Sequence, residues 1–409
     1  MRRLHILDPQ LVDYSGHFHN YCVQVVREMR GRGVPVSIYA RNNCSVQCDG
    51  VKPEGVFSHD IFLEAARDGL TWALENFHHL NQAFLADLLR IPADRFSSED
   101  LLFLPTLLQN QLHAVALWLE RMPPNRRPAV AVLFRFLNHE MEYMKSRANS
   151  AMIPLLYRFA AQRLLAVQPR TVLATDIREM AEAYRVITGR PVAELTLAMD
   201  LPDDVASPTQ SNDRPVVAVL GYTSKFKGFH LLPDIITACS QITPRPYFAV
   251  QVQSRVLAQK DSLKAAMGRL DVLAKGTDVR LIEGALSPEE YFAELRQADI
   301  VLLPYSKDFY RFCSSGIFGE AIALGKAIVL PQGTAAARQG RDYDLGVVAA
   351  EEYTAGSFAS AIRTAVDGLS LLQQKSRAGA ARFAQEQGVQ EFWSRLLREL
   401  GISCNPVAA

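Results

Sequence analysis

The chain has 409 residues, more than one hydrophobic core usually supports, so we expect two domains of roughly 200 residues each. Its 44 lysine and arginine residues against 43 aspartate and glutamate residues give a formal net charge of +1, which provides no overall field for nucleic acid or for an anionic membrane. No apolar run reaches the roughly 18 residues that a membrane span requires, so any contact with a membrane has to be peripheral.

The first half of the sequence predicts a parallel sheet with helices between its strands. Leu4–Leu7 is a short apolar strand, Asn20–Arg30 has the spacing of a helix, and Val34–Ala40 is a second strand, which together make a βαβ unit. The stretch 61–122 has a helical pattern that ends at a Pro-Pro pair, and we expect a helical insertion there. The remaining elements are strands Ala129–Phe134, Thr171–Ala174 and Val192–Leu197 and helices Ile153–Leu165 and Ile177–Ile187. We expect the first domain to span 1–200.

The stretch 201–215 has the composition of a linker, because it is polar, punctuated by proline and poor in large apolar residues. Beyond it, strands and helices alternate in the pattern of a doubly wound parallel sheet. The expected strands are Val216–Leu220, Tyr247–Val252, Val279–Ile282, Ile300–Leu303 and Ala327–Leu330, and the expected helices are His230–Cys239, Ser262–Leu273, Pro288–Gln297, Phe358–Val366 and Ala378–Leu400. We expect the second domain to span 216–385 and a terminal helix to lie within 386–409.

The cysteines and the N-terminus indicate a reduced, cytoplasmic protein. The six cysteines are scattered, and only Cys44 and Cys48 lie close together, with no second pair or His-x-His spacing to complete a zinc site. The N-terminus enters a short strand directly and carries no long apolar segment of the signal-peptide kind. Two interpretations fit the helix Ile153–Leu165 with its two arginines: a peripheral membrane contact, or a buried domain helix with solvated arginines.

The segment 314–331 has the build of a nucleotide-diphosphate pocket. Gly316 lets the backbone approach an anion, and the free N–H groups of the first helical turn present partial positive charge to a phosphate. Glu320 stands one turn later on the same face, where a carboxylate can accept hydrogen bonds from a ribose diol. Gly325 then closes the helix before an apolar strand. The same pattern also fits any αβ unit of a parallel sheet.

The loop 221–229 is a second candidate phosphate site. It is bounded by glycines, carries Lys225 and Lys227, and follows a strand at the start of a domain. An ammonium group held beside a departing phosphate stabilises the charge that grows as a glycosidic bond breaks. The alternative interpretation is a solvated surface loop. The loop is neither a Walker A loop nor a G-x-G-x-x-G fingerprint, which disfavours a P-loop NTPase and a simple dehydrogenase.

In this order the motifs resemble the retaining GT-B glycosyltransferases of family 4, over nearly the whole chain. The loop 14–20 resembles the glycine-bearing loop after the family's first strand, and 221–228 resembles its phosphate-binding loop. The segments 279–284 and 298–304 match the strands that flank its nucleobase pocket, and 316–331 matches its donor helix. The resemblance implies an α/β protein with the GT-B fold, in which two Rossmann-like doubly wound parallel-sheet domains face a cleft. It also implies that a last helix returns to the first domain.

The resemblance further implies a function and a set of site residues. The reaction would be metal-independent transfer, with retention, of a hexose-type sugar from a UDP- or GDP-sugar to a glycan, lipid-linked or small-molecule acceptor. The implied catalytic residues are Lys227, Lys225 and Glu320. The implied donor-binding residues are Gly16, Gly221, Tyr222, Thr223, Gly284, Tyr305, Ser314, Ser315, Gly316, Ile317 and Glu320. The implied acceptor-binding residues are His17, His19, Arg135 and His139, although a loop histidine is often only a satisfied polar group.

Two positions depart from the family pattern. The acid expected eight positions before Glu320 is Phe312, and the arginine expected in the phosphate loop is Tyr222. Candidate replacements for the missing acid are Asp308, Tyr310 and Arg311. Three hypotheses therefore stand: a glycosyltransferase, another GT-B enzyme such as a nucleotide-sugar epimerase or a phosphorylase, and a non-catalytic GT-B partner subunit.

Overall fold

The computed structural model describes residues 1–14, 18–59, 61, 70–137, 147–195, 213–252 and 261–402. The chain divides into two compact units, Met1–Leu197 together with Gln387–Ala409, and Ala198–Glu386. Each unit holds one sheet, and every strand pairing within the two sheets is parallel. The predicted α/β class with two parallel sheets is confirmed. The predicted linker lies outside the described residues except for 213–215.

The first unit contains a seven-stranded sheet in the order β3-β2-β1-β4-β5-β6-β7. Its strands are β1 (Leu4–Asp8), β2 (Val36–Arg41), β3 (Glu54–Phe57), β4 (Leu101–Leu104), β5 (Ala129–Phe134), β6 (Thr171–Thr175) and β7 (Ala193–Glu194). The helices are α1 (Phe18–Gly31), α2 (Leu70–Leu88), α3 (Gln109–Glu120), α4 (Arg147–Val167) and α5 (Arg178–Thr188). The chain moves outward in one direction from β1 and in the other from β4, so the carboxyl ends of these two strands mark a topological switch point.

The prediction of a helical insertion at 61–122 is wrong in part. Strand β4 lies inside that stretch and pairs with β1 on one side and β5 on the other, so it is central to the sheet. All four residues of β4 are buried. A strand that is buried on both faces is a continuous apolar run without alternation, and four consecutive apolar residues next to a leucine-rich helix carry no period that separates them from it.

The second unit contains a six-stranded sheet in the order β10-β9-β8-β11-β12-β13. Its strands are β8 (Val216–Val219), β9 (Tyr247–Val252), β10 (Val279–Glu283), β11 (Ile300–Leu302), β12 (Ala327–Pro331) and β13 (Val347–Ala350). Its helices are α6 (Leu232–Ala238), α7 (Asp261–Leu273), α8 (Pro288–Gln297), α9 (Lys307–Tyr310), α10 (Gly316–Ala323), α11 (Ala335–Asp342), α12 (Ala355–Asp367) and α13 (Leu369–Gln387). The order reverses between β8 and β11, which places a ligand-binding crevice at their carboxyl ends.

The last described helix, α14 (Val389–Glu399), belongs to the first unit. Trp393 is fully buried there, with its ring centre 5.1 Å from that of Phe103 in β4. Arg32 donates to the carbonyl of Gln390 at 3.2 Å. The single helix predicted at 378–400 is two helices, because the chain leaves helical geometry at Gly388, which has ψ 170° and precedes α14. None of the described helices is both long and apolar enough to span a lipid bilayer.

Candidate functional site

The buried side-chain amide of Gln251 joins three strand ends at the carboxyl edge of the second sheet. The N–H of Gly221, just after β8, donates to Gln251 Oε1 at 2.7 Å. Gln251 lies near the end of β9, and its Nε2 donates to the carbonyl of Gly284, after β10, at 2.9 Å. Gln251 is 5% exposed. The backbone of Gly221 is therefore fixed by the strands beside it before any ligand binds.

The ammonium group of Lys227 lies against Gly221. A Cβ atom at Gly221 would stand 2.7 Å from Lys227 Nζ and 2.8 Å from Ile317 Cδ1, and φ at Gly221 is +98°, so only glycine fits here. Within the described ranges no carboxylate forms an ion pair with Lys227, and Nζ lies 5.9 Å from the centre of the Tyr305 ring. Burial lowers the pKa of Lys227 from 10.5 to about 8, and the charge of Glu320 opposes that shift.

The loop that carries Lys227 is seated on the loop that follows β11. Gly228 has φ +73°, and a Cβ atom there would stand 1.8 Å from the carbonyl oxygen of Pro304. The N–H of Ser306 donates to the carbonyl of Phe226 at 2.8 Å. These two loops leave the sheet at its switch point, so their mutual contact sets where the lysine stands.

Glu320 occupies the second turn of α10 and is 6% exposed. Its Oε2 accepts a hydrogen bond from the hydroxyl of Tyr291 in α8, and no other described group donates to Oε1. Burial raises the pKa of Glu320, while the Tyr291 hydrogen bond and the charge of Lys227 act in the opposite direction. Tyr291 thus holds one oxygen of the carboxylate and leaves the other for a ligand hydroxyl.

The N-terminus of α10 is capped so that part of its first turn stays available. Ser315 is the N-cap, and its Oγ accepts from the N–H of Phe318 at 3.3 Å. The hydroxyl of Tyr305 lies 3.2 Å from the same Oγ, which orients the cap. The N–H groups of Gly316 and Ile317 have no partner within the helix, because they belong to its first turn. Together with the helix dipole they suit an anion.

The other residues expected at the donor site have different environments. Thr223 is buried and lines the same small pocket as Gly221, Lys227 and Tyr305. Tyr222 also lines it but is 54% exposed. Ser314 is half-buried just before the cap. Lys225 is exposed and does not line this pocket, whereas Lys227, the other predicted catalytic lysine, does.

Arg135 lies in a buried cluster at the carboxyl edge of the first sheet. It follows β5, and its Nε stands 3.3 Å from Asp176 Oδ2, just after β6. The guanidinium carbon lies 4.8 Å from the centre of the Tyr21 ring in α1. Both members of the ion pair are well buried. A cation and an anion are therefore held together where the strands of a parallel sheet present their ligand-binding ends.

Asp8, the last residue of β1, adds a second acid to this edge. It is 1% exposed, and burial raises its pKa to about 7. The N–H of Gln10 donates to its Oδ1 at 3.0 Å, and the charge of Arg135 also favours the ionised form, but neither outweighs the loss of solvent. Asp8 is therefore a carboxyl group that exchanges its proton near neutral pH.

Of the predicted acceptor residues, His19 and Arg135 are described. His19 Nε2 lies 2.9 Å from the carbonyl oxygen of Gln47, and its ring packs edge-on against Tyr14. Gly16, predicted to admit the donor, and the acceptor candidates His17 and His139 lie outside the described residues.

Sequence reasoning missed five residues that shape these sites. They are Asp8, Tyr21, Asp176, Gln251 and Tyr291. The two aspartates and Gln251 carried a usable signal, since each is a polar residue at or next to the carboxyl end of an apolar strand. The two tyrosines lie on helices, where an aromatic residue at helical spacing normally indicates core packing, so their contact with a charged group shows only in three dimensions.

Comparison with known proteins identifies solved structures that share this fold. No family model and no curated protein matches the chain. Among solved structures, sucrose-phosphate synthase from Thermosynechococcus elongatus is similar over 98% of both chains, with 15% identity and a TM-score of 0.62. HepE from Anabaena, solved in complex with UDP-glucose, is similar over 98% of this chain and 100% of its own, with 12% identity and a TM-score of 0.58. A putative UDP-N-acetylglucosamine 2-epimerase from Listeria monocytogenes is similar over 97% and 95%, with 10% identity and a TM-score of 0.51.

Identities this low establish the fold and leave the activity open, because one fold hosts several reactions. The sucrose-phosphate synthase and the putative epimerase illustrate that range. The coverage of nearly the whole chain, together with the two parallel sheets, shows that this protein has the GT-B fold.

Proposed function

We propose that the chain is a glycosyltransferase that takes its sugar from a nucleoside-diphosphate sugar bound by the second unit. The observation that carries this proposal is Lys227, an ammonium group with no carboxylate partner in the described ranges, which lies against Gly221, where Ile317 of the first turn of α10 also approaches. Its charge and the free N–H groups of Gly316 and Ile317 suit the two phosphates. Glu320 then accepts a hydrogen bond from a ribose hydroxyl through the oxygen that Tyr291 leaves open.

The proposed reaction breaks the bond between the anomeric carbon and the oxygen of the terminal phosphate. The bonding electron pair leaves with the nucleoside diphosphate, and Lys227 stabilises the negative charge that develops there. In the retaining mechanism that we propose, the departing phosphate oxygen takes the proton of the acceptor hydroxyl, and that hydroxyl attacks the same face of an oxocarbenium-like sugar. No residue of the chain forms a covalent bond to the sugar in this scheme.

We place the acceptor at the carboxyl edge of the first sheet. Arg135 is the candidate group for a charged or hydroxyl-rich acceptor, and Asp8 and Asp176 are acids within the same cluster. The acceptor class that we propose is a glycan, a lipid-linked sugar or a small molecule. His19 lies at the start of α1 and is a further candidate for acceptor binding.

The donor site is tested by binding of UDP and GDP to Lys227→Met. Each ligand stabilises a protein that binds it by an amount set by its concentration relative to Kd, so the melting temperature reports binding directly. We expect one of the two nucleotides to raise the melting temperature, and Lys227→Met to weaken its Kd about tenfold or more, since a hydrogen bond to a charged group is worth roughly 1.5–3 kcal/mol. Lys275→Met, an exposed lysine of the same unit, is the control and should bind like the wild type. The proposal fails if neither nucleotide binds, or if the two variants lose affinity equally.

Turnover separates the proposed reaction from its alternatives. We expect release of nucleoside diphosphate from a nucleotide sugar that depends on an added acceptor extract. Conversion of the donor sugar without any acceptor would identify an epimerase instead, and consumption of phosphate would identify a phosphorylase. Binding without turnover across a broad donor panel would support a non-catalytic partner subunit. Phe312 favours that alternative, because it stands where the family pattern has an acid. The guanidinium carbon of Arg311 lies 5.2 Å from the centre of the Phe312 ring.

A further inference from the structure

A second polar cavity lies at the amino edge of the first sheet, where no part of the proposed reaction takes place. Its volume is about 590 Å³, within the range of small-molecule sites. The residues that line it include those just before β1 and β4 and those at the start of β2 and β3. Because the strands are parallel, this edge is opposite the one that carries Asp8, Arg135 and Asp176. The cavity is therefore separate from the acceptor cluster.

The walls of this cavity carry an excess of positive charge. Five cationic side chains line it, against three carboxylates. The cationic residues are Arg2, Arg3, Lys52, Arg95 and Arg126. Arg2 and Lys52 are exposed, which places their charges at the mouth. Arg95 is paired with Glu54, so the excess positive charge comes from the other four cationic residues.

Two of the arginines are anchored in a way that leaves donors free. Arg3 Nη1 donates to Ser37 Oγ at 3.0 Å. Arg126 Nη1 donates to the carbonyls of Asp94 at 3.1 Å and Phe96 at 3.3 Å. A guanidinium has five N–H donors, so each arginine is fixed at one nitrogen and keeps the others for an anion.

The floor of the cavity is polar and buried, and its hydrogen-bonding capacity is not used up. His5 and Asp100 are 1% and 3% exposed, and within the described ranges neither His5 Nε2 nor Asp100 Oδ1 has a hydrogen-bond partner. His5 Nε2 stands 3.4 Å from Asp100 Oδ2, and His5 Nδ1 stands 3.5 Å from the hydroxyl of Tyr39. Burial lowers the pKa of His5 to about 4, so the imidazole is neutral at physiological pH. Buried polar groups are rarely left without partners, and those on a cavity floor are available to a water or to a polar ligand.

We propose that this cavity binds a small phosphorylated sugar or polyol. The arginines and Lys52 at the wall and mouth bind the phosphate, because bidentate guanidinium pairs match its geometry. The neutral His5, the Tyr39 hydroxyl and the Asp100 carboxylate bind hydroxyl groups at the floor. The carboxylate repels a phosphate, and this fixes the direction of the ligand, with its charged end outward. An unsubstituted sugar lacks the charge for the wall, and inorganic phosphate lacks the hydroxyls for the floor.

The test is calorimetric titration of the full chain with three probes: glucose 6-phosphate, glucose and inorganic phosphate. We expect saturable binding of glucose 6-phosphate that is at least tenfold tighter than that of either other probe. The double variant Arg2→Gln/Lys52→Gln should weaken it about tenfold or more, since it removes two charges near the phosphate. Arg190→Gln, an exposed arginine of the same unit, is the matched control. Arg3→Gln provides a second variant if the double variant melts at a lower temperature than the wild type.

Each other outcome overturns the proposal. Absence of saturable binding does so directly. Binding that is unchanged in both Arg2→Gln/Lys52→Gln and Arg3→Gln would place the ligand elsewhere in the chain. Loss of glucose 6-phosphate binding in Lys227→Met would assign it to the second unit. The proposed transferase activity is measured with nucleotide ligands, so either proposal can fail while the other stands.

Discussion

At the scale of single residues, Lys227 determines how nucleotide binding responds to pH. Its pKa is lowered from 10.5 to about 8, so the free protein loses this charge as the pH rises through that value. A bound diphosphate favours the charged form, and binding above pH 8 must then take up a proton. We expect the affinity for the nucleoside diphosphate to fall by up to about tenfold per pH unit above that point. Calorimetry in two buffers of different ionisation enthalpy measures the uptake, which should vanish in Lys227→Met; an equal uptake in the variant contradicts this role.

Asp8 makes the stability of the protein depend on pH. Its pKa is about 7 in the folded chain and 3.8 in a free side chain, so between these values the folded state holds a proton that the unfolded state has released. Stability contributed by this group therefore decreases as the pH rises from about 4 to 7. Asp8→Asn removes the titration and keeps an oxygen for the Gln10 N–H. We expect its free energy of unfolding relative to the wild type to rise over that window, by up to roughly 4 kcal/mol.

Urea unfolding at pH 4, 5.5, 7 and 8 checks the Asp8 prediction. Glu182→Gln, an exposed acid on α5, is the control and should show no trend. A difference between Asp8→Asn and the wild type that is the same at every pH would show that burial does not hold the proton.

At the scale of elements, the sequence predicted those whose signals are local. Helix α8 has its predicted bounds because Ser287 and Glu290 form a capping box around Pro288, and all three residues are visible in the sequence. The sequence did not predict strand β4, because both of its faces are buried and its apolar side chains do not alternate with polar ones. The candidate site divides in the same way. Its glycines and Lys227 belong to local sequence motifs. The Tyr291–Glu320 hydrogen bond instead joins two residues that are 29 positions apart on different helices, and it depends on tertiary packing.

The contact between the loops after β8 and β11 can be tested at Gly228. An alanine there would adopt the left-handed region at φ +73° and would also place its Cβ 1.8 Å from a backbone carbonyl of Pro304. Gly333 is a matched control in the same unit, since it has φ +87° and open space around the added atom. We expect Gly333→Ala to lose only the backbone contribution, about 1–2 kcal/mol, and Gly228→Ala to lose at least about 2 kcal/mol more in urea unfolding. Equal losses of unfolding free energy in the two variants would mean that the two loops can move apart to accommodate the added methyl group without destabilising the protein.

At the scale of the whole molecule, the first unit is built from two separated parts of the sequence. Helix α14 follows the entire second unit along the chain, yet its apolar face belongs to the core around β1 and β4. Val389, Trp393 and Leu397 are buried there, at the spacing of one helix face. The complete core of the first unit therefore includes a helix that is synthesised only after the second unit.

Trp393→Ala tests how far the first unit depends on this returning helix. The side chain is fully buried against Phe103, and removing a large aromatic group from a core costs about 3–5 kcal/mol. We expect hydrogen exchange to accelerate in peptides that cover α1 and β4, which share the core with Trp393, because the loss of α14 packing lowers the free energy of opening there. Gln390→Ala, on the exposed face of α14, should leave exchange unchanged. If α1 and β4 stay as protected in Trp393→Ala as in the wild type, the helix only covers a core that the first 197 residues complete by themselves.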